Sequence, residues 1–206
     1  MLDRILGTNP DVRSVQSTAA RTLAGIGISA NIATAVAAIA GVAAGIAFGK
    51  QSPGWGIVLL ALSAGLDAVD GTIAREQAQP TLLGGLSDLV ADRIVESAVI
   101  IGIAWPYPHL YFPALILVAS WYVNITVFLA VGAALETRGP KLIDYPPGIL
   151  ERTEALIFFA LLAAIESIGF LRPAGPVLCY LMTALEIATG AQRFIFGWQK
   201  LKDDAA

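Results

Sequence analysis

The chain has 206 residues, of which 56% are hydrophobic and 14% charged, with a net charge of −3 and a mean hydropathy of +0.71. This excludes disorder and argues against an ordinary soluble domain, and the length suits one membrane domain of about six spans at roughly 20 residues each. The small net charge says little about partners, no nucleic-acid partner is expected, and the single cysteine, Cys179, excludes an internal disulfide and a thiolate cluster.

In chain order, residues 1–24 mix Arg4, Asp11, Arg13 and Arg21 with Leu2, Ile5, Leu6 and Leu23, the pattern of a juxtamembrane amphipathic helix. No basic region followed by an apolar run opens the chain, so no cleaved signal peptide is expected. Six transmembrane helices are predicted at about 26–48, 55–76, 84–105, 110–135, 150–170 and 175–198, an all-α membrane protein. They form one catalytic domain over residues 25–200, followed by a cytoplasmic tail over 201–206. The breaks fall at Gly49–Pro53, Trp105–Pro108, Arg138–Pro147 and Arg172–Pro176. Gly41, Gly45 and Gly49 recur every four residues, a small-residue face for close helix packing.

Topology follows from the basic residues. With six spans and a cytoplasmic N-terminus, eleven of the thirteen lysines and arginines fall on the cytoplasmic side, and only Lys50 and Arg172 fall outside. Both termini are therefore placed in the cytoplasm. Trp55, Trp105, Tyr107 and Tyr111 belong to the outer interface and Trp198 to the inner one. His109 lies in the outer turn and is expected to have no role at the site.

Four carboxylates interrupt this apolar pattern. The stretch Asp67-Ala-Val-Asp70-Gly71-Thr-Ile-Ala74-Arg75 is followed, after eight residues, by Gly84-Gly-Leu-Ser-Asp88-Leu-Val-Ala-Asp92. Asp67 and Asp70 share one helix face, as do Gly84, Asp88 and Asp92. Carboxylates in apolar surroundings must be paired, neutralised or bound to cations. Two such faces turned together bring four carboxylates to one point, a divalent-metal site.

The spacing D-x2-D-G-x2-A-R-x8-G-x3-D-x3-D resembles the signature of the CDP-alcohol phosphatidyltransferases, the membrane enzymes of phospholipid biosynthesis, at every fixed position. A chance match at a given start has odds of about 10⁻¹⁰ at average composition. The resemblance implies a metal-dependent transferase acting on a CDP-linked substrate and an acceptor alcohol, with release of CMP. It implies two divalent cations, Mg²⁺ or Mn²⁺, held by Asp67, Asp70, Asp88 and Asp92, with Asp92 also the general base. Gly71, Ala74 and Gly84 would leave room for the nucleotide, and Arg75 would pair with phosphate. Arg152 and Arg193 are candidates for contacts to a phosphate or to the acceptor. Asn124, Thr126 and Glu154 are candidates for the acceptor pocket, and Glu186, seven residues before Arg193, is a candidate to stabilise it. A homodimer in a prokaryotic cytoplasmic membrane, active at the cytoplasmic face, completes the expectation.

Relatives with phosphorylated acceptors tend to carry more basic residues at the end of span four and a second arginine in the stretch opening span five. Here that stretch reads Glu151-Arg152-Thr153-Glu154-Ala155, and span four ends without a cation. An uncharged or zwitterionic acceptor is therefore favoured, and CDP-diacylglycerol is the expected donor. The alternative is a CDP-choline or CDP-ethanolamine type of head-group transfer to diacylglycerol. An aspartate-rich membrane prenyltransferase would need two separated aspartate motifs, whereas these four lie in one helix–loop–helix. A non-enzymatic cation carrier would need neither the glycines nor Arg75.

Overall fold

The computed structural model describes residues 9–76, 81–136 and 148–203. Its elements are α1 (Pro10–Gly25), α2 (Ala30–Gly49), α3 (Pro53–Glu76), α4 (Leu82–Ala104), α5 (Tyr111–Glu136), α6 (Arg152–Ser167) and α7 (Ala174–Asp203), with single 3₁₀ turns at Pro108–Leu110 and Gly169–Leu171. No strand occurs among the described residues. Arg4, Arg138 and Lys141 lie outside them, as does the side chain of Arg75.

Helix starts follow local chemistry. The Asn9 side chain accepts from the Asp11 amide with Pro10 at the first helical position, and the Ser29 and Thr81 hydroxyls cap α2 and α4. Glu151 and Glu154 form a reciprocal capping box at the start of α6. The α1–α2 turn passes through Gly27 at φ +84°, a left-handed conformation that a residue without Cβ adopts at no steric cost. That turn folds α1 back so that Ala19, Ala20 and Leu23 pack on Val69 and Ile73, beside Asp70.

Helix α2 buries Ala33, Ala37, Ala40, Gly41, Ala44 and Gly45 against α3 and α4. The small face read from the sequence packs closely at Gly41 and Gly45, while a Cβ on Gly49 would stand 3.7 Å from the Gly102 carbonyl, an ordinary contact. A Cβ on Gly45 would collide with the Ala98 carbonyl, one on Gly102 with the Gly45 carbonyl, and one on Gly41 with Val95. The Ser63 hydroxyl donates to the Ala37 carbonyl at 2.7 Å across the same seam. A second packing unit joins α5 to α7, with α6 bridging α3, α4 and α7. Trp121 meets Phe159 edge-on there, with ring centroids 5.6 Å apart.

Around an apolar core, large apolar side chains also cover the outside of the bundle. Ile39, Ile101, Trp105, Phe112 and Val177 face outward at 60–70% exposure, while Ser63, Glu96, Asn124, Glu166, Thr183, Glu186 and Thr189 are buried. That is the arrangement expected when hydrocarbon surrounds the bundle. Four of the described helices are long and apolar enough to cross a membrane: Ala30–Gly49, Pro53–Ala74, Pro108–Leu135 and Ala174–Asp203. The other two expected spans are present as helices but do not qualify on these grounds. α4 carries Asp88, Asp92, Arg93 and Glu96, and α6 has 16 residues, about 24 Å against a core of about 30 Å.

His109 is less bland than the sequence suggests. It lies at the end of the bundle away from the four aspartates, but its Nε2 sits 3.0 Å from Oε2 of the fully buried Glu166. Arg172 donates to the Glu166 carbonyl at 3.0 Å and stacks 5.0 Å over Tyr107. These contacts tie the two 3₁₀ turns together. His109→Leu leaves a buried carboxylate without this partner and is expected to cost about 1–3 kcal/mol. A lowered thermal midpoint in detergent, with little change in substrate affinity, would show it.

Candidate active site

Asp67 and Asp70 project from the last turns of α3, and Asp88 and Asp92 from the first turns of α4. The i, i+3 and i, i+4 spacings put each pair on one face, and packing of α3 and α4 on the common partner α2 brings the faces together. One carboxylate oxygen from each of Asp67, Asp70 and Asp88 lies within 4.8 Å of the others. Oxygens this close could be drawn in as ligands of a divalent cation. The Oδ1 atom of Asp88 is buried and accepts no hydrogen bond. A hard-oxygen donor set with an unused buried acceptor fits a divalent cation.

Asp92 stands at the edge of this trio. Its Oδ1 accepts from the Arg152 guanidinium, which also lies 2.6 Å from Asp67 Oδ1 and 4.0 Å from Asp88 Oδ1. Arg152 thus bonds the carboxylates themselves, a more central position than the spacing implies. One guanidinium cannot neutralise four aspartates, so a strong demand for cations is left over. Arg152→Gln removes the competing cation and is expected to tighten Mn²⁺ binding by about tenfold, roughly 1.4 kcal/mol. Titration of the purified protein followed by electron paramagnetic resonance reads this, and weaker binding would contradict it.

Asp70 is 8% exposed, and its Oδ2 accepts from the Thr34 hydroxyl at 2.5 Å. Gly71, Ala74 and Gly84 line a 260 Å³ cavity together with Thr34, Asp70 and Asp88. A Cβ on Gly84 would stand 3.1 Å from the Thr81 hydroxyl that caps α4 and 3.5 Å from Asn31. The N-terminus of α4, with its amide dipole, opens beside this cavity.

On the other side of the carboxylates runs a 610 Å³ groove reaching Asp67, Asp92 and Arg152. Its walls are Leu60, Ala64, Leu156 and Ile157, with Val12 and Gln16 of α1 at its rim. A third cavity, of 230 Å³, opens on Arg152 from the α5–α7 side. It holds Arg193, as expected of a residue near the site, though Arg193 touches none of the four aspartates in any described contact. Its guanidinium donates to Asn124 Oδ1 at 2.9 Å and lies 5.0 Å from the Phe128 ring centre. Glu186 meets Arg193 through Asn124, whose amide donates to Glu186 alongside Trp121 Nε1. Of the other polar candidates, Thr126 bonds its own helix at Tyr122, and Glu154 completes the capping box.

Thr34, Glu96 and Trp121 are contributors that spacing alone does not reveal. Glu96 has a faint signal, extending the Asp88, Asp92 ladder by four residues, and it takes Arg93 in a two-point ion pair at 2.8 Å. Arg93 also reaches Asp92, at 4.0 Å. Thr34 and Trp121 have none, because their partners lie 36 and 65 residues away.

The model of the CDP-alcohol phosphatidyltransferase family matches residues 27–191. A phosphatidylinositol phosphate synthase of Mycobacterium marinum is 30% identical over 190 residues, covering 87% of this chain and 77% of that protein. An archaetidylinositol phosphate synthase of Methanothermobacter thermautotrophicus is 32% identical over 181 residues, covering 86% and 87%. A crystal structure of the Mycobacterium tuberculosis phosphatidylinositol phosphate synthase with CDP-DAG bound superposes with a TM-score of 0.72 at 25% identity, covering 90% of this chain and 94% of that one. A second structure of that enzyme, with manganese and citrate, shares the fold at 24% identity with a TM-score of 0.74. The aspartate signature, the bundle that assembles it and these likenesses agree: the chain belongs to the CDP-alcohol phosphatidyltransferase family and is one of its integral membrane transferases.

Proposed function

We propose that this transferase moves a phosphatidyl group from CDP-diacylglycerol to an acceptor alcohol, releasing CMP. The observation that carries this reading is the meeting of two differently lined cavities at the four aspartates, with a third reaching them through Arg152. The small-residue cavity beside Gly71, Ala74 and Gly84 suits a nucleotide pressed against the helices, with its pyrophosphate near the α4 N-terminus. The apolar groove beside Leu60, Leu156 and Ile157 suits acyl chains leaving that pyrophosphate for the bilayer. The charged cavity beside Arg152 and Arg193 suits the acceptor. CDP-DAG bound in the mycobacterial relative supports the same choice of donor.

Asp67, Asp70 and Asp88 would hold divalent cations, with Asp92 contributing to a second one. Mg²⁺ or Mn²⁺ there supplies charge neutralisation at the pyrophosphate. Asp92, facing both the groove and Arg152, takes the proton of the acceptor hydroxyl. The acceptor oxygen bonds to the β-phosphorus as the bond from that phosphorus to the CMP oxygen breaks, leaving a phosphodiester and CMP. Arg75 would steady a phosphate of the nucleotide.

The same reading places six spans in the membrane over residues 25–200, with α4 and α6 completing the set. Asp88 and Asp92 of α4 and Arg152 of α6 line the site, a position at which membrane proteins tolerate charge. It lays α1 at the membrane surface and puts the site and both termini on the cytoplasmic side of a prokaryotic membrane, in a homodimer. CMP release from CDP-diacylglycerol with Mg²⁺ or Mn²⁺, across a panel of acceptors, tests the chemistry. Release only from CDP-choline or CDP-ethanolamine with diacylglycerol would reverse the roles of donor and acceptor.

A further inference from the structure

The apolar groove is polar at one end only. Along α3 its lining runs from Asp67 back to Ile57, about 15 Å, and along α6 from Arg152 to Ala160, about 12 Å. Beyond the carboxylates, Arg152 and Thr153, one further polar side chain lines it among the described residues, Gln16 of α1.

Gln16 differs from its neighbours on that helix. It shares a face with Val12, Ala20 and Leu23, at spacings of four and seven residues, and every other member of the face is apolar. Ala20 is fully buried and, with Leu23, packs on Val69 and Ile73 of α3. The hydroxyls of Ser17, Thr18 and Thr22 bond carbonyls of α1 itself. The half-buried Gln16 amide has no hydrogen-bond partner among the described residues. Ala20 lies one turn on from Gln16, about 6 Å away, and Val69 lies two residues on from Asp67. Gln16 is therefore held at the end of the groove where the carboxylates give way to apolar walls.

A donor with its pyrophosphate at the carboxylates and its acyl chains along Leu60 and Ile157 brings its glycerol and ester linkages to this boundary. An ester carbonyl accepts hydrogen bonds and cannot donate them, and on entering an apolar groove it loses the donors that water supplied. A primary amide offers two N–H groups. An ether linkage has no carbonyl to receive them.

We propose that Gln16 reads the linkage of the donor lipid: its amide donates to an acyl ester carbonyl, so that an ester-linked CDP-lipid binds in preference to an ether-linked one. The inference rests on the phosphatidyl-transfer reading and deepens it by naming a residue that recognises the lipid part of the donor. Helix α1 then belongs to the donor site as well as to the membrane surface.

The test is binding in the absence of an acceptor, so that no turnover occurs. The full-length chain in detergent with Mg²⁺ is titrated by calorimetry with CDP, with dioctanoyl CDP-diacylglycerol and with the dioctyl ether of the same structure. The expected result is an ester lipid bound at least about threefold more tightly than the ether. Gln16→Met keeps the length of the side chain and removes the donor. It should abolish that ratio while leaving the affinities for CDP and for the ether lipid unchanged. Equal affinity of the wild-type chain for the two lipids overturns the proposal and leaves the donor reading standing. A general loss of fit in Gln16→Met would weaken all three ligands and keep the ratio, and that also overturns it. Binding of CDP but of neither lipid, or of none of the three, removes the donor reading, and this inference with it.

Discussion

Replacing Asp88 by asparagine is expected to lower metal-dependent turnover by about a thousandfold or more, roughly 4 kcal/mol of lost transition-state stabilisation. Asp88 lies in the trio with Asp67 and Asp70, and its Oδ1 is buried without a hydrogen-bond donor. It also borders both the cavity beside Gly71 and Gly84 and the apolar groove, so the change strikes where donor phosphate and cation would meet in the proposed reaction. The side chain keeps its size, and removing one of several like charges relieves repulsion, so folding should not suffer. The prediction therefore has two readouts. Turnover collapses and Mn²⁺ affinity falls, while the thermal midpoint without metal holds or rises. Near-normal CMP release from Asp88→Asn would remove Asp88 from the set of metal ligands.

Gly45→Val is expected to be the most damaging change away from the site, costing about 3 kcal/mol or more. The backbones of α2 and α4 meet at Gly45 and Gly102, where a Cβ on either residue collides with main-chain atoms of the other helix. Main-chain atoms cannot rotate aside, so the helices must separate and lose the contacts around Val95, Val99 and Phe48. Helix α2 also carries Thr34, which donates to Asp70 on α3, so a shift of α2 would reach the site. Gly65→Ala is the control, since nothing lies within 4 Å of a Cβ there and alanine favours a helix. A cooperative loss of thermal stability in Gly45→Val, with Gly65→Ala unchanged or slightly raised, is the expected outcome. Equal effects would mean that backbone freedom and not the seam controls stability.

Contacts set by helical spacing were legible in the amino-acid order, because every helix shares the same geometry. Spacings of three and four residues put Asp67 with Asp70 and Asp88 with Asp92, and the recurrence of Gly41 and Gly45 gave the close-packed face. Hydropathy located the four long apolar helices for the same kind of reason, since burial in lipid demands an unbroken apolar run.

The spans expected at 84–105 and 150–170 are present as helices too, though one carries four charged residues and the other is short, so neither is an unbroken apolar run of membrane length. The partners of the polar groups were not legible in the same way. Nothing in the order of residues says that Arg152 reaches between Asp67 and Asp92, that Glu166 waits for His109, or that Asn124 links Glu186 to Arg193. Those pairs lie 57 to 85 residues apart in sequence, and only the way separate helices pack decides which side chains share a buried space. The sequence by itself determined the chemistry the chain carries and the helix faces that bear it. The tertiary structure decided which charges are paired, and hence which of them a substrate finds available: burial makes every unpaired charge costly, and pairing depends on neighbours that local spacing does not specify.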